Sequence, residues 1–122
     1  MSVEIASRQT LLRAPRKKIA QIVSRVLADY GLEDMAVSLA LVDDRTIRTV
    51  NREFLGRDHS TDVIAFSFRD EREGAAAAKP GDRDRLLGEI VVSAERAVSA
   101  ARRRRGAPTA ELLLYVVHGL CL

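Results

Sequence analysis

The sequence predicts a single α+β domain in which helices pack against a four-stranded mixed sheet. Segments of strand-like apolar pattern alternate with segments of helical period, in the order β-α-β-α-β-β-α-α. A chain of 122 residues suffices for one core and not for two. Its composition, 47% hydrophobic and 30% charged, is that of an ordinary globular protein.

Each element has a local reason. Val3-Glu-Ile5 alternates like a short strand. Pro15 opens an amphipathic helix with Ile19, Ile22, Val23, Val26, Leu27 and Tyr30 on one stripe, and Gly31 stops it. The run Val37 to Val42 is apolar enough for a largely buried strand. Asp43 or Asp44 caps the next helix, which turns Ile47, Val50 and Phe54 inward and ends at Gly56. Arg57-Asp-His-Ser60 is a polar loop, and Asp62 to Phe68 is a second strong strand. Residues 69–84 mix charges with an alanine- and glycine-rich stretch and read as a mobile surface loop. Leu86 to Ser93 is a strand whose last residue caps a helix over 94–105, ended by Gly106. Pro108 and Thr109 open the last helix, with Thr109 as its cap.

The longest apolar run, Leu112 to Val117, is too short for a bilayer, and residues 1–12 lack the pattern of a signal peptide. A single Cys121 excludes an internal disulfide and leaves no disulfide partner, so a reducing cytoplasm is expected. Net charge is +3, but its placement says more. Arg102, Arg103, Arg104 and Arg105 form one basic block, while Arg13, Arg16, Lys17, Lys18 and Arg25 crowd the first helix. Such clusters bind phosphate backbones, and they also serve as solvated faces; a basic last turn complements the helix dipole. With three Phe, two Tyr and no Trp, a base-stacking platform is not expected.

No glycine-rich phosphate loop, dinucleotide fingerprint or serine nucleophile elbow is present. His118 stands out, because it interrupts an apolar helix where Leu or Val would bury at lower cost. An imidazole there is either a hydrogen-bonded core histidine or a metal ligand.

Three segments together resemble one family. Asn51-Arg-Glu-Phe-Leu-Gly-Arg-Asp-His-Ser-Thr-Asp-Val-Ile-Ala-Phe66 is similar to its N-x-x-[YF]-R-x-K-D-x-P-T-D-V-L-S-F block. Gly88-Glu-Ile-Val-Val-Ser93 resembles its G-D-I-x-I-S strand, and Leu114 to Leu122 resembles the start of its H-G-x-L-H-L-x-G-[YH]-D-[HD] motif. The family is the YbeY group of metal-dependent, single-strand-specific endoribonucleases of ribosomal RNA maturation. The resemblance implies a zincin-like metal helix at the C-terminus, one zinc ion with His118 as its first ligand, and RNA, with the small ribosomal subunit, as partner. Two histidines at i and i+4 reach one ion, and such an ion activates water against a phosphodiester.

Here Leu122 stands at the place of the second histidine, and the third ligand lies past the last residue, so metal is expected to bind weakly or not at all. A helix ending uncapped four residues past His118 reads as one cut short within the motif. Leu55 occupies the place of a family arginine, which Arg57 partly replaces as the candidate catalytic cation. Arg57, His59 and Arg102 to Arg105 are the candidate RNA contacts. Cys121 is either a substitute thiolate ligand or a small buried hydrophobe. Gly119 stands where a zinc peptidase carries its glutamate base, which argues against proteolysis. The other class consistent with these residues is a non-catalytic RNA- or ribosome-binding protein of the same fold.

Overall fold

The computed structural model describes residues 3–67 and 86–121; the loop expected at 69–84, Phe68 and Leu122 lie outside them. The elements are β1 (Val3–Ser7), α1 (Arg16–Asp29), β2 (Ala36–Val42), α2 (Asp44–Leu55), β3 (Val63–Ser67), β4 (Leu86–Ser93), α3 (Ala94–Arg104) and α4 (Pro108–Cys121). The four strands lie in the order β1-β2-β4-β3. The pairs β1–β2 and β2–β4 are parallel and β3–β4 is antiparallel, so the expected mixed sheet is present.

Strand alternation divides the core between the two faces of the sheet. Val37, Leu39, Leu41, Val63, Ile90 and Val92 pack with Ile19, Val23 and Leu27 of α1, Ala97 of α3, and Leu112 and Val116 of α4. The smaller cluster on the opposite face joins Val42, Ile64 and Val91 to Ile47 of α2. β1 and β3 are the sheet edges, and the C-terminal ends of β1, β2 and β4 lie together at one end of the sheet. No helix among the described residues is long and apolar enough to cross a membrane.

Among the described residues, α2 and α3 carry side-chain caps, on an aspartate and a serine. Asp43 Oδ1 accepts from Thr46 N at 2.8 Å, and Ser93 Oγ accepts from Arg96 N at 3.1 Å. Gly56 ends α2 in the left-handed region, at φ 69°.

Four details differ from the sequence reading. Phe54 is 69% exposed rather than turned inward, with its ring edge-on to Phe66 at 5.9 Å between centroids. Tyr30 is 72% exposed, because α1 stops at Asp29 and the chain turns at Gly31. α3 ends on Arg105, itself left-handed at φ 54°, and Gly106 N donates to Ala101 O at 2.9 Å just beyond it. α4 begins at Pro108, whose missing N–H suits a first helical position, so Thr109 sits inside the first turn instead of capping it.

Candidate functional site

The loop between α2 and β3 carries Arg57 and His59 and is fastened at several points. Asn51, buried on the inner face of α2, donates from Nδ2 to His59 O at 2.9 Å, and its own carbonyl accepts from Arg57 N at 3.2 Å. Asp58 accepts from Arg48 Nε at 3.0 Å, which holds its carboxyl below the usual range. Arg96, from the first turn of α3, donates through Nη2 to Ser60 Oγ at 2.6 Å. Ser93 Oγ donates to Asp44 Oδ1 at 2.6 Å, and Ser93 N donates to Asp62 O at 2.9 Å. The first turns of α2 and α3 and the start of β3 are thus locked together at one end of the sheet.

Arg57 and His59 are exposed, and the Arg57 guanidinium has no partner among the described residues. The His59 ring lies with Nδ1 3.1 Å from Ser60 O, so it is steered by the backbone. The loop therefore presents a free cation on a fixed frame. Neither Asn51 nor Arg96 stood out from the sequence as holding this frame. The signal was a polar residue four positions after the buried Ile47, on the stripe where an apolar one is expected.

The basic block is divided by the structure. Arg104 Nη1 donates to Glu111 Oε1 at 2.7 Å, tying the end of α3 to the start of α4, whereas Arg102, Arg103 and Arg105 are exposed without an ion-pair partner among the described residues. Glu111 is buried, and its Oε2 has no hydrogen-bond partner among the described residues. One turn further, the Tyr115 phenol is pushed above its ordinary range, first by burial and then by the negative charges of Glu111 and Asp62.

His118 follows on α4 as an exposed residue with no hydrogen bond among the described residues. It is not a core histidine. Its neighbour Gly119 is buried against Ile90 and Val63. A cavity of about 370 Å³ beside the end of α4 is lined by Leu27, Leu32, Gly88, Gly119 and Leu120, and His118 is not part of that lining. Cys121 is exposed rather than a small buried hydrophobe.

These residues do not make a zinc site by themselves. Zinc takes three or four protein donors. Among the described residues no group of three or more His, Cys, Asp or Glu side chains is placed to hold an ion. His118 offers one nitrogen, open to solvent.

The family model described as Endoribonuclease YbeY matches residues 4–121. The chain is 35% identical over 120 residues to the Endoribonuclease YbeY of Anaeromyxobacter sp. (strain Fw109-5), covering 98% of this chain and 58% of that protein. It is 31% identical over 124 residues to the Endoribonuclease YbeY of Alkaliphilus metalliredigens (strain QYMF), covering 98% and 77% respectively. The solution structure of TM1509 from Thermotoga maritima superposes with a TM-score of 0.64 at 23% identity, over 97% of this chain and 69% of that one, a likeness of fold.

Proposed function

The chain belongs to the endoribonuclease YbeY family, and from that premise we propose that it binds RNA and acts as an endoribonuclease in ribosomal RNA maturation in the cytoplasm. The observation that carries this reading is the match across residues 4–121, which takes in the fastened loop and the helix of His118. On this reading Arg57 and His59 meet the RNA backbone on a rigid frame, where a guanidinium forms charge-assisted bonds to phosphate oxygens. A cation held there in advance also offsets charge gathering on a phosphate during cleavage. Arg102, Arg103 and Arg105 extend the contact along the strand, and the small ribosomal subunit is the setting in which that RNA is met.

His118 is the candidate donor to a zinc ion. The described residues do not complete that ion's ligand set. Leu122 and Leu55, in the places of a family histidine and a family arginine, favour a second reading: an RNA- or ribosome-binding protein that does not cut.

One experiment separates the two. A labelled single-stranded ribosomal RNA fragment is incubated with the protein, with and without added zinc, and both binding and cleavage are followed. The nuclease reading expects His118→Ala to abolish cleavage and keep binding. Cleavage unaffected by His118→Ala, with binding lost when Arg102, Arg103 and Arg105 are replaced, establishes the binding protein instead.

A further inference from the structure

A groove of about 850 Å³ opens between the end of β1 and the first turn of α1, at the sheet edge opposite β3. Its walls include Gln9, Arg13, Arg16, Lys17 and Lys18, and no acidic side chain lines it. Gln9 fixes its rim: Oε1 accepts from Leu11 N and Leu12 N, both at 2.9 Å, while Nε2 donates to Ser7 Oγ at 3.0 Å and to Leu12 O. Arg16 Nη1 donates to Ile5 O at 3.0 Å. Arg13, Lys17 and Lys18 are exposed and have no carboxylate partner among the described residues.

The position of these cations adds a second observation. Arg16, Lys17 and Lys18 are the first three residues of α1, a turn that carries no acidic residue and no side-chain cap. Helix stability favours carboxylates there, because the N-terminus is already the positive end of the macrodipole. Three consecutive cations at that end concentrate positive potential over a preformed groove at the expense of the helix.

We propose that this groove anchors consecutive phosphates of an RNA strand, at a surface separate from His118 and from the loop of residues 57–62. The inference rests on the RNA-directed reading above and adds where the strand is held. Phosphate recognition follows from the lining, which is cationic and polar and lacks any aromatic ring on which a base would stack. Binding here is therefore independent of sequence. The same strand reaches both places because both open at one end of the sheet. Ser7 pairs with Leu41, Leu41 with Val92, and Val92 with Val63, the residue after the loop. Three strand spacings, roughly 14 Å in all, separate the two edges.

The test measures binding of a fluorescein-labelled single-stranded RNA by anisotropy across a salt series, for the wild type and for R13E/K17E/K18E. Arg25→Glu serves as the control, since Arg25 lies on the same helix outside the groove and pairs with Asp29 at 3.4 Å. Glutamates in the first turn suit the helix dipole, so thermal melting of the triple variant stays level or rises and weaker binding is not a failure to fold. The proposal expects the triple variant to bind at least about tenfold more weakly at low salt. Its log–log salt slope becomes shallower by about two, at about 0.7 for each phosphate that the variant no longer neutralises. The control changes neither. A triple variant with wild-type affinity and slope overturns the groove and leaves the RNA-directed reading standing. A wild type that binds no RNA overturns that reading, and the groove with it.

Discussion

Gly119 shows how a single residue changes meaning between sequence and structure. In the sequence it marks the absence of a peptidase glutamate; in the fold it marks how closely α4 approaches the sheet. A Cβ at this position would stand 2.7 Å from Ile90 Cγ2 and 3.0 Å from Val63 Cγ2, both branched side chains in the core. Gly88 is constrained in the same way from within the sheet, since a Cβ there would run into the carbonyl of Phe66 on β3. Gly119→Ala therefore favours the helix but overpacks its contact with the sheet, and the second effect is the larger: about 1 kcal/mol of stabilisation against about 1–3 kcal/mol of strain. Urea denaturation checks this, with the variant expected to unfold at lower denaturant. An unchanged or higher midpoint would show that α4 has room to lift from the sheet. The same crowding positions His118, because a helix held at Gly119 cannot rotate the adjacent imidazole freely into or out of solvent.

Among the elements, the junction of α3 and α4 depends most visibly on one pair. Glu111 is buried near the start of α4 and meets Arg104 at 2.7 Å from the end of α3. Arg104 itself remains largely in solvent, so the carboxylate bears most of the desolvation. Removing the guanidinium leaves a buried carboxylate without its ion-pair partner, which is the costly half of such an interaction. Arg104→Ala is expected to destabilise the fold by about 1–3 kcal/mol. Arg103→Ala, with no ion pair among the described residues, changes it by less than about 0.5 kcal/mol. The two variants remove the same charge from adjacent positions, so chemical denaturation of both separates a structural arginine from one free to meet an anion. Equal effects would show that the block acts through its total charge.

At the scale of the whole molecule, the parts of the fold that were legible are those decided by local pattern. Alternation and apolar runs located all four strands, and the Asp43 and Ser93 caps fell where short polar residues precede a helical period. Arg57 and His59 were readable as an exposed pair because they lie in a run of polar loop residues. What could not be read depends on partners far apart in sequence: the Arg96–Ser60 bond spans 36 positions, and Gly119 is explained only by Val63 and Ile90. The groove at α1 was visible as a cluster of cations but not as a concavity, since Gln9 shapes it through bonds that no periodicity encodes. The same long-range assembly governs how stability responds to pH. Asp43 sits below its ordinary value of 3.8, first because its side chain accepts from Thr46, and Asp58 is held low by Arg48. Carboxyls depressed by folding contribute stability that is present above their unfolded value and lost as pH falls through the folded one, so an acid limb begins near pH 4. Tyr115 lies above its ordinary 10.0, so its contribution is complete below that pH and is lost as pH rises through the folded value. Stability is therefore expected to form a plateau with two independent shoulders. Asp43→Asn keeps a capping oxygen and should soften only the acid shoulder, while Tyr115→Phe should soften only the alkaline one. Thermal melts from pH 2 to about pH 11, bracketing both unfolded values, read both at once. An alkaline shoulder that survives Tyr115→Phe would show that it does not arise from the burial of this phenol beside Glu111.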